Sequence, residues 1–270
     1  MKNDLAILTV NYENYQVTED FLTTINTFNN TDFKVFIADL SDHKKNIVKH
    51  TNVEVLKGLN KGYAYGINIA LKQAIKERYT KFVVINNDIR LSRNFISSCL
   101  KSLENKKGCI IGGKIYYEAG YEYHNHYRKD ERGKVIWYAG GQVDWRNAFV
   151  IHRGVNEVDH GQYDQAKETD FITGCLMLFD KDVIDKIGMW DEHYFLYYED
   201  ADFCERAKRN GIKLYYDPTI VIWHLNSQST GGSGSKLHQK YQKTNQIRYG
   251  LKYAPLRTKL HLVKNKFLGQ

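Results

Sequence analysis

Short apolar runs alternate with amphipathic segments over the first 115 residues of the chain. The apolar runs suit β-strands, whereas the segments between them place apolar side chains at helical spacing, as Ala64, Ile67 and Leu71 do. Asn60 is the predicted N-cap of that helix. Strands alternating with helices of this length predict βαβ units and an α/β fold with a mainly parallel sheet. The predicted strands are residues 5–10, 33–38, 53–56, 82–85 and 109–115.

The apolar run Phe82–Ile85 ends in the polar tripeptide Asn86–Asp88. A continuous apolar run this short is typical of a strand buried on both faces. Ligands of open α/β sheets bind at the carboxyl edge, where a carboxylate can hold a hard divalent cation that in turn binds phosphate oxygens. Asn and Asp also favour turns, so the tripeptide by itself is more often a turn than a ligand site. Two further predicted strands end at Asn11 and Asp39, which favours a nucleotide site at this edge.

The alternation stops in residues 116–168, which are rich in tyrosine, histidine, glycine and charge. Their weak periodicity predicts loops and short antiparallel strands. The aromatic side chains fit a wall against a sugar or another flat polar ligand. His124 and His126 are candidates for a metal site, but two histidines at this spacing in a polar loop are more often surface residues.

Three acids, Glu199, Asp200 and Asp202, stand at the start of a predicted helix that ends near Gly211. Acids at a helix N-terminus stabilise it by about 0.3–1 kcal/mol each. The cluster nevertheless exceeds what a cap requires, which makes it a candidate for acid–base chemistry. The other predicted elements of this half are strands at 170–179, 212–216 and 219–223, the last followed by His224, and a helix at 180–187 that ends at Gly188.

The composition is that of a folded protein, with 42% hydrophobic and 13% aromatic residues. No apolar run approaches the roughly 20 residues needed to span a bilayer, and the first residues show no signal-peptide pattern. The four cysteines have no CxxC spacing, so we expect reduced, packed thiols and a cytoplasmic protein.

The net charge of +8 is unevenly divided along the chain. Residues 1–217 carry 30 basic and 31 acidic residues, whereas residues 218–270 carry nine basic residues and no acid. A basic tail of this kind points to an anionic partner surface or to packing against the body. Nothing in the body resembles a nucleic-acid-binding module, so we expect no nucleic-acid partner.

Four apolar residues of the tail recur at helical spacing and form one stripe, with basic residues beside it. They are Leu256, Leu260, Val263 and Phe267. A helix of this kind can lie in the headgroup region of an anionic leaflet. The stripe can equally pack on the body or on a second subunit, and the sequence leaves these alternatives open.

Several motifs occur in a characteristic order. They are residues 7–12 (ILTVNY), 37–39 (IAD), 60–68 (NKGYAYGIN), 86–88 (NND), 171–174 (FITG) and 190–202 (WDEHYFLYYEDAD), with His224, Ser227 and Ser229 last. In these motifs the chain resembles the family 2 glycosyltransferases of the GT-A fold, and within them the bacterial rhamnosyltransferase-like branch. The resemblance implies a GT-A catalytic domain at 1–235, with helices on both faces of its sheet, and a basic helical tail at 236–270. Within the domain it implies a nucleotide-binding half at 1–115 and an acceptor-binding half at 116–235.

The resemblance also implies roles for single residues. Asp88 stands in the family's DxD-type metal motif, whose first acid is missing here, and His224 matches the residue that often completes that site around Mg²⁺ or Mn²⁺. Asp200 matches the catalytic base of the family's ED motif, and Glu199 precedes it. Trp190 and Asp191 are implied in acceptor binding. The residues implied in nucleotide-sugar binding are Val10, Asn11, Tyr12, Asp39, Asn60, Gly62, Asn68, Asn86, Asn87 and Gly174.

The implied reaction is inverting, metal-dependent transfer of one sugar to a glycan or lipid-linked acceptor in bacterial surface polysaccharide synthesis. The first choice of donor is dTDP-L-rhamnose, and a UDP-hexose is the alternative. A nucleotidyltransferase, which releases pyrophosphate, and a nucleic-acid-binding protein that acts through its basic tail are the other classes considered. The implied location is cytoplasmic and peripheral on the inner face of the membrane, and the oligomeric state, including a homodimer, stays open.

Overall fold

The computed structural model describes residues 2–28, 33–47, 51–124, 126–225 and 236–267. The strands are β1 (Lys2–Asn11), β2 (Phe33–Asp39), β3 (Val53–Lys57), β4 (Tyr79–Ile85), β5 (Ile89–Leu91), β6 (Ile110–Tyr117), β7 (Ile136–Tyr138), β8 (Gly141–Asp144), β9 (Phe149–His152), β10 (Lys167–Glu168), β11 (Leu176–Asp180) and β12 (Leu214–His224). The helices are α1 (Tyr15–Ile25), α2 (Tyr63–Lys76), α3 (Phe95–Asn105), α4 (Lys181–Ile187), α5 (Glu199–Arg209), α6 (Lys236–Tyr253) and α7 (Leu256–Phe267). Ser227 and Ser229 of the motif after His224 lie outside the described residues.

The main sheet has the strand order β10-β12-β6-β11-β4-β1-β2-β3, with β5 on β12 and β7 on β6. Pairing is parallel through β4-β1-β2-β3 and between β6 and β12. Strand β11 is antiparallel to both β4 and β6. The chain leaves β6 at the carboxyl edge and re-enters there at Leu176, opposite Ile85, so β11 must run the other way. The predicted α/β fold is confirmed, and the sheet is mixed rather than parallel throughout.

The start of α2 corrects one prediction, because its N-cap is Gly62 and not Asn60. Gly62 has a φ of 100°, and a Cβ at this position would lie 2.2 Å from the carbonyl oxygen of Phe195. Only glycine allows so close an approach of the two backbones. Asn60 instead accepts a hydrogen bond from the Gly62 N–H at 3.3 Å through its side-chain oxygen.

Two strands in the second half differ from their predicted bounds. The apolar segment predicted as a strand at 170–179 is extended in the sheet only from Leu176 to Asp180. The two strands predicted at 212–216 and 219–223 form one strand, β12, with a register shift between Asp217 and Val221. Proline 218 lies in this shift, where a missing N–H costs the ladder nothing.

The tail shares the main hydrophobic core. Tyr249 of α6 is fully buried and stacks on Trp145, with ring centroids 5.4 Å apart. Leu262 of α7 is also buried in the same core cluster. The predicted stripe does not pack on the body, because Leu256 and Leu260 are 73% and 63% exposed. The side chain of Phe267 lies outside the described part of the chain.

Three sequence expectations about single residue types can be compared with the fold. All four cysteines are free thiols, and three of them, Cys99, Cys175 and Cys204, are buried, as predicted. His124 and His126 are both exposed, which agrees with a surface position. Within the described ranges, none of the helices has the length and apolar character that crossing a membrane requires.

Candidate active site

The carboxyl ends of β1, β2 and β4 are joined by a chain of buried hydrogen bonds. Asn11 and Asp39 are partners in the register of β1 and β2, and Asn11 Nδ2 donates to Asp39 Oδ1 at 2.9 Å. Thr18 Oγ1 donates to Asn11 Oδ1 at 2.7 Å. Asn87 Nδ2 donates in turn to Thr18 Oγ1 at 2.8 Å. The structure therefore brings together three residues predicted at this edge, and adds Thr18, which has no sequence signal beyond its place in the first turn of α1.

Asp39 is fully buried and accepts further hydrogen bonds from Ser41 and from the hydroxyl of Tyr15. Burial by itself raises the pKa of Asp39, but the hydrogen bonds from Asn11, Ser41 and Tyr15 outweigh it and lower the pKa. The carboxylate is thus ionised and held in place. The ring of Tyr12 beside it is 38% exposed and is free to face a ligand.

Val10 lies on the other side of this edge, against α2. A Cβ at Gly66 would lie 2.7 Å from Val10 Cγ2, so glycine at position 66 lets the helix pack tightly on the end of β1. Val10 therefore sets the distance between α2 and the strand end.

Asp88 and His224 meet because β5 pairs with β12, which places Ile89 opposite His224. His224 Nε2 lies 3.1 Å from Asp88 Oδ1, and the two side chains are 6% and 5% exposed. The Leu225 N–H donates to the Asp88 carbonyl oxygen at 2.8 Å and fixes the two segments against each other. His224 Nδ1 is buried and has no hydrogen-bond partner among the described residues. The structure therefore brings together the two residues predicted to bind a metal, far apart in sequence.

Asp88 Oδ1 and His224 Nε2 lie within hydrogen-bond distance of each other, and a carboxylate oxygen and a neutral imidazole nitrogen are both groups that bind divalent cations. Among the described residues, no three or more His, Cys, Asp and Glu side chains cluster in a way that could hold a metal. Two protein ligands suit Mg²⁺ or Mn²⁺, which commonly complete their coordination with water and substrate phosphate oxygens.

Glu199 and Asp200 begin α5 immediately after Tyr197 and Tyr198, two residues with φ values of 68° and 70°. Consecutive left-handed residues other than glycine are costly, and such strain is common at functional sites. Asp200 Oδ2 accepts from the Gly174 N–H at 2.9 Å, and Oδ1 accepts from the Ala201 N–H at 2.8 Å.

Burial raises the pKa of both acids. Burial raises the pKa of Asp200 to about 6, although the backbone N–H groups of Gly174 and Ala201 oppose the shift. Burial, and next the charge of Asp200, raise the pKa of Glu199 well above its ordinary value. Glu199 Oε2 is also buried without a partner among the described residues. With a pKa of about 6, Asp200 is ionised at neutral pH.

Tyr63 links the metal-motif segment to this acid pair. Its hydroxyl lies 3.2 Å from Asn86 Oδ1 and 3.1 Å from the Gly174 carbonyl oxygen. Gly174 holds Asp200 through its N–H, and a Cβ at position 174 would lie 3.3 Å from the Trp190 ring. Tyr63 lies in one of the sequence motifs but had no predicted role, because a single tyrosine in the first turn of a helix carries no specific signal.

The left-handed turn before Glu199 is held from two sides. The Tyr63 N–H donates to the Phe195 carbonyl oxygen at 2.9 Å. Asn245 of α6, itself buried, donates through Nδ2 to the carbonyl oxygens of Leu196 at 2.9 Å and Tyr197 at 3.1 Å. Sequence reasoning missed Asn245, because nothing in the tail indicates which helix face meets the body.

Trp190 and Asn68 have positions that correct the predicted roles. The Trp190 side chain is 2% exposed and stacks on Phe203, with centroids 5.1 Å apart, so it belongs to the core rather than to an acceptor surface. Asn68 donates to the Trp190 carbonyl oxygen at 2.9 Å and accepts from the Trp190 N–H at 3.1 Å. Asn68 is therefore engaged in anchoring the loop before α5, because both ends of its amide are used there.

Asp191 and Asp202 bind the tail. Lys252 lies 3.1 Å from Asp191 and 2.6 Å from Asp202, which also pairs with Arg206. Burial alone raises the pKa of Asp191, but hydrogen bonds from His193 and Lys252 outweigh it and lower the pKa to about 2. The lowered pKa makes Asp191 a poor proton acceptor, and Asp202 is held in ion pairs with Arg206 and Lys252. The hydrogen bonds to Asp200 come instead from the backbone N–H groups of Gly174 and Ala201.

Comparison with protein families agrees with this geometry. A sequence model described as glycosyltransferase like family 2 matches residues 49–242. The hexosyltransferase Agl10 of low-salt glycan biosynthesis from Haloferax volcanii is 22% identical over 79% of this chain and 64% of its own length. The dTDP-rhamnosyl transferase RfbF of Shigella flexneri is 24% identical over 62% of this chain and 50% of its own length. The rhamnosyltransferase WbbL of Escherichia coli is 22% identical over 71% of this chain and 72% of its own length. The chain thus spans less than two thirds of the length of the first two of these relatives.

Solved structures show the same fold. GalNAc-T7, crystallised with UDP, GalNAc and Mn²⁺, superposes with a TM-score of 0.67 over 92% of this chain and 47% of its own, at 11% identity. The mannosyltransferase PcManGT of Pyrobaculum calidifontis, in complex with GDP-Man and Mn²⁺, gives 0.53 over 98% of this chain and 69% of its own, at 13% identity. The α/β architecture is thereby identified as the GT-A fold, as predicted. With the family model covering well over half of its residues, the chain belongs to glycosyltransferase-like family 2.

Proposed function

We propose that this protein transfers one sugar from a nucleotide-sugar donor to an acceptor hydroxyl, with inversion at the anomeric carbon and with the help of a divalent cation. The observation that carries the proposal is the meeting of two acidic centres at one region of the sheet edge. Asp88 faces His224 across 3.1 Å, and Asp200 is held by Gly174. Tyr63 joins the two through Asn86 and the Gly174 carbonyl oxygen.

Asp200 is the proposed general base. Its carboxylate accepts the proton of the acceptor hydroxyl while that oxygen forms a bond to the anomeric carbon and the bond from this carbon to the diphosphate oxygen breaks. Positioned general bases contribute about 10²–10⁴-fold to rate. A base on one face of the sugar and a leaving group on the other produce inversion in a single displacement. The raised pKa of Glu199, caused by burial and by the charge of Asp200, opposes a second negative charge beside the base.

Asp88 and His224 are the proposed protein ligands of Mg²⁺ or Mn²⁺. A cation bound there supplies Lewis-acid stabilisation of the charge that develops on the departing nucleoside diphosphate. The chain's own part is to hold the two ligand atoms in place through the β5–β12 pairing and the Leu225 N–H. Asn11, Tyr12, Asp39, Asn86 and Asn87 are the proposed nucleotide-sugar contacts at the same edge.

The proposed donor is dTDP-L-rhamnose, with a UDP-hexose as the alternative. Two of the relatives are named as rhamnosyl transferases and one as a hexosyltransferase, which supports this order. The proposed acceptor is a glycan or lipid-linked saccharide of bacterial surface polysaccharide synthesis, and the proposed location is cytoplasmic, on the inner face of the membrane. The name of a mycobacterial relative that matches 61 residues, an N-acetylglucosaminyl-diphospho-decaprenol L-rhamnosyltransferase, supports a lipid-linked acceptor.

Titration calorimetry with dTDP, UDP and GDP, each with and without Mn²⁺, tests the donor and the cation together. We expect one nucleoside diphosphate to bind preferentially and Mn²⁺ to increase its affinity, since a cation held by Asp88 and His224 would attract the negatively charged phosphates. The base of the preferred diphosphate identifies the donor class. Equal affinity with and without Mn²⁺ would remove the cation from the proposal.

A further inference from the structure

Helix α7 turns its apolar stripe away from the protein. Leu256, Leu260 and Val263 are 73%, 63% and 38% exposed, and their spacing places them on one face. Thr258 and Leu262 lie on the opposite side and are buried against the body. The helix is therefore docked by one face and leaves its second apolar face to another partner.

The hairpin formed by β8 and β9 has an exposed apolar face of its own. Phe149 and Ile151 are 42% and 49% exposed, whereas Val150 and His152 between and beside them are half-buried. Alternate residues of a strand share a face, so Phe149 and Ile151 point outward together. Their cross-strand partners are Asp144 and Gln142. The outward face of the hairpin therefore carries two apolar side chains beside the polar side chains of Asp144 and Gln142.

The two apolar faces belong to adjacent elements. Thr258 Oγ1 of α7 donates to the Trp145 carbonyl oxygen in the hairpin turn at 2.7 Å. A Cβ on Gly250 would lie 2.2 Å from Leu262 Cδ1 and 2.9 Å from Ala148 Cβ, so these two side chains meet over the glycine. Phe149 follows Ala148 directly. We call the exposed side chains of Phe149, Ile151, Leu256, Leu260 and Val263 the α7–hairpin face.

The charge around this face indicates the class of partner. Arg257, Lys259 and Lys264 of α7 form no ion pair with any residue in the described ranges. The last 53 residues contain nine basic residues and no acid. A symmetric dimer through α7 would bring two such cationic helices together, which costs like-charge repulsion. A surface of anionic lipid headgroups instead accepts the apolar side chains and neutralises the cations.

We propose that the α7–hairpin face lies on an anionic membrane surface, with the hairpin as a second point of contact beside the tail helix. The inference extends the proposed function, since a face of this kind keeps the catalytic edge near a lipid-linked acceptor. Two points of contact also fix the orientation of the protein on the surface, which a single helix at the end of the chain does not.

Co-sedimentation of the full chain with lipid vesicles tests the proposal. The vesicles are phosphatidylcholine alone or phosphatidylcholine with phosphatidylglycerol, at low and at physiological salt. We expect binding to the anionic vesicles only, weakened by salt. Two double variants, Leu256→Ser with Leu260→Ser and Phe149→Ser with Ile151→Ser, should each lower the partition coefficient at least about tenfold, because each removes two large apolar side chains from the contact.

Leu59→Ser is the matched control, because Leu59 is 70% exposed but lies after β3, at the far end of the sheet. This variant should bind vesicles like the parent. No binding of the parent to anionic vesicles at low salt would overturn the proposal, and parent-like binding by the hairpin variant would overturn the second point of contact. A dimer in sedimentation velocity that the same variants dissolve would assign the face to a second copy instead.

The affinity of each variant for the nucleoside diphosphate, measured without vesicles, separates this inference from the proposed function. We expect it to match that of the parent. Vesicle binding without any transferase activity would contradict the proposed function alone, and activity without vesicle binding would contradict the membrane face alone.

Discussion

Asp88 and Asp200 are aspartates near the same edge of the sheet, yet their surroundings are opposite. Asp88 faces a histidine nitrogen at 3.1 Å that is able to share a cation with it. Asp200 faces two backbone N–H groups and a neighbouring acid, in a position where burial raises its pKa to about 6. We propose the first arrangement for binding a cation and the second for accepting a proton.

The difference teaches that the role of each aspartate is set by its neighbours and not by its residue type. Asp202 is a third aspartate whose neighbours differ again. It lies two residues from Asp200, but Arg206, Lys252 and the Tyr253 hydroxyl surround it and commit it to anchoring the tail. We therefore expect substitution of Asp200 to lower turnover, and substitution of Asp88 or His224 to lower the affinity for the nucleoside diphosphate.

Asp200→Asn should have the largest effect on turnover. We expect a loss of about 10²–10⁴-fold, because the amide cannot accept the proton of the acceptor. Donor affinity, measured by titration calorimetry, should stay near that of the parent. The melting temperature is measured alongside, because the amide NH2 group of Asn would face one of the two backbone N–H groups from which the carboxylate accepts. Turnover within a few-fold of the parent would exclude Asp200 as the base.

Asp88→Ala and His224→Ala should weaken binding instead. We expect each to lower the Mn²⁺-dependent affinity for the nucleoside diphosphate by at least about tenfold, since even partners of metal ligands contribute that much. His126→Ala is the control, because His126 is exposed and should leave the affinity unchanged. If both site variants kept the full effect of Mn²⁺, the cation would have to bind elsewhere.

Asn245→Asp should lower turnover while leaving donor affinity unchanged, because it replaces the amide that donates to the turn before Glu199. Misplacement of a catalytic group by a small distance can cost about 10–100-fold, so a drop of at least tenfold in kcat is expected. Asn245→Gln keeps the donor group and should recover part of the activity.

Gln246→Ala is the matched control for Asn245. It removes one hydrogen bond from the next residue of α6, to the Asn147 carbonyl oxygen in the hairpin turn. Equal losses from both positions would mean that α6 contributes only to stability.

The smallest predicted effect is the dependence of kcat on pH. Because the pKa of Asp200 is raised to about 6, its carboxylate is ionised above that pH and becomes protonated as the pH falls through it. At saturating donor and Mn²⁺, kcat should fall about fivefold between pH 6 and pH 5 and be nearly constant above pH 7. An acid limb near pH 4, the range of an unshifted aspartate, would mean that Asp200 is solvated during turnover.

The positions of many residues at the carboxyl edge could be predicted from the sequence, because parallel strands end at the same edge of the sheet and their terminal polar residues lie close together there. Asn11, Asp39 and Asn86 could be located in this way, and the pairing of Asp88 with His224 followed from resemblance. The antiparallel course of β11 could not, since an apolar run does not reveal from which edge the chain enters. Trp190 was misassigned for a related reason: an aromatic residue beside polar ones gives no sign of being buried against Phe203.

The tail was the least predictable region. A helix after Pro255 was expected from apolar spacing, but the docked face of α7 is the one that carries Thr258 and Leu262, not the predicted stripe. Asn245 and Lys252 act through contacts with residues some 50 positions earlier, and such contacts depend on tertiary packing that local pattern does not contain.

The most direct test of the proposed activity is the fate of the donor in the presence of Mn²⁺. The parent and Asp200→Asn are incubated with dTDP-L-rhamnose or a UDP-hexose, and water serves as the acceptor, so that no natural acceptor is needed. Ion-exchange chromatography identifies the nucleotide product, and NMR records the anomer of the sugar before it equilibrates. We expect the parent to release a nucleoside diphosphate and the sugar as the inverted anomer, and the variant to release neither. Release of pyrophosphate, or of the sugar with retained configuration, would contradict an inverting glycosyltransferase.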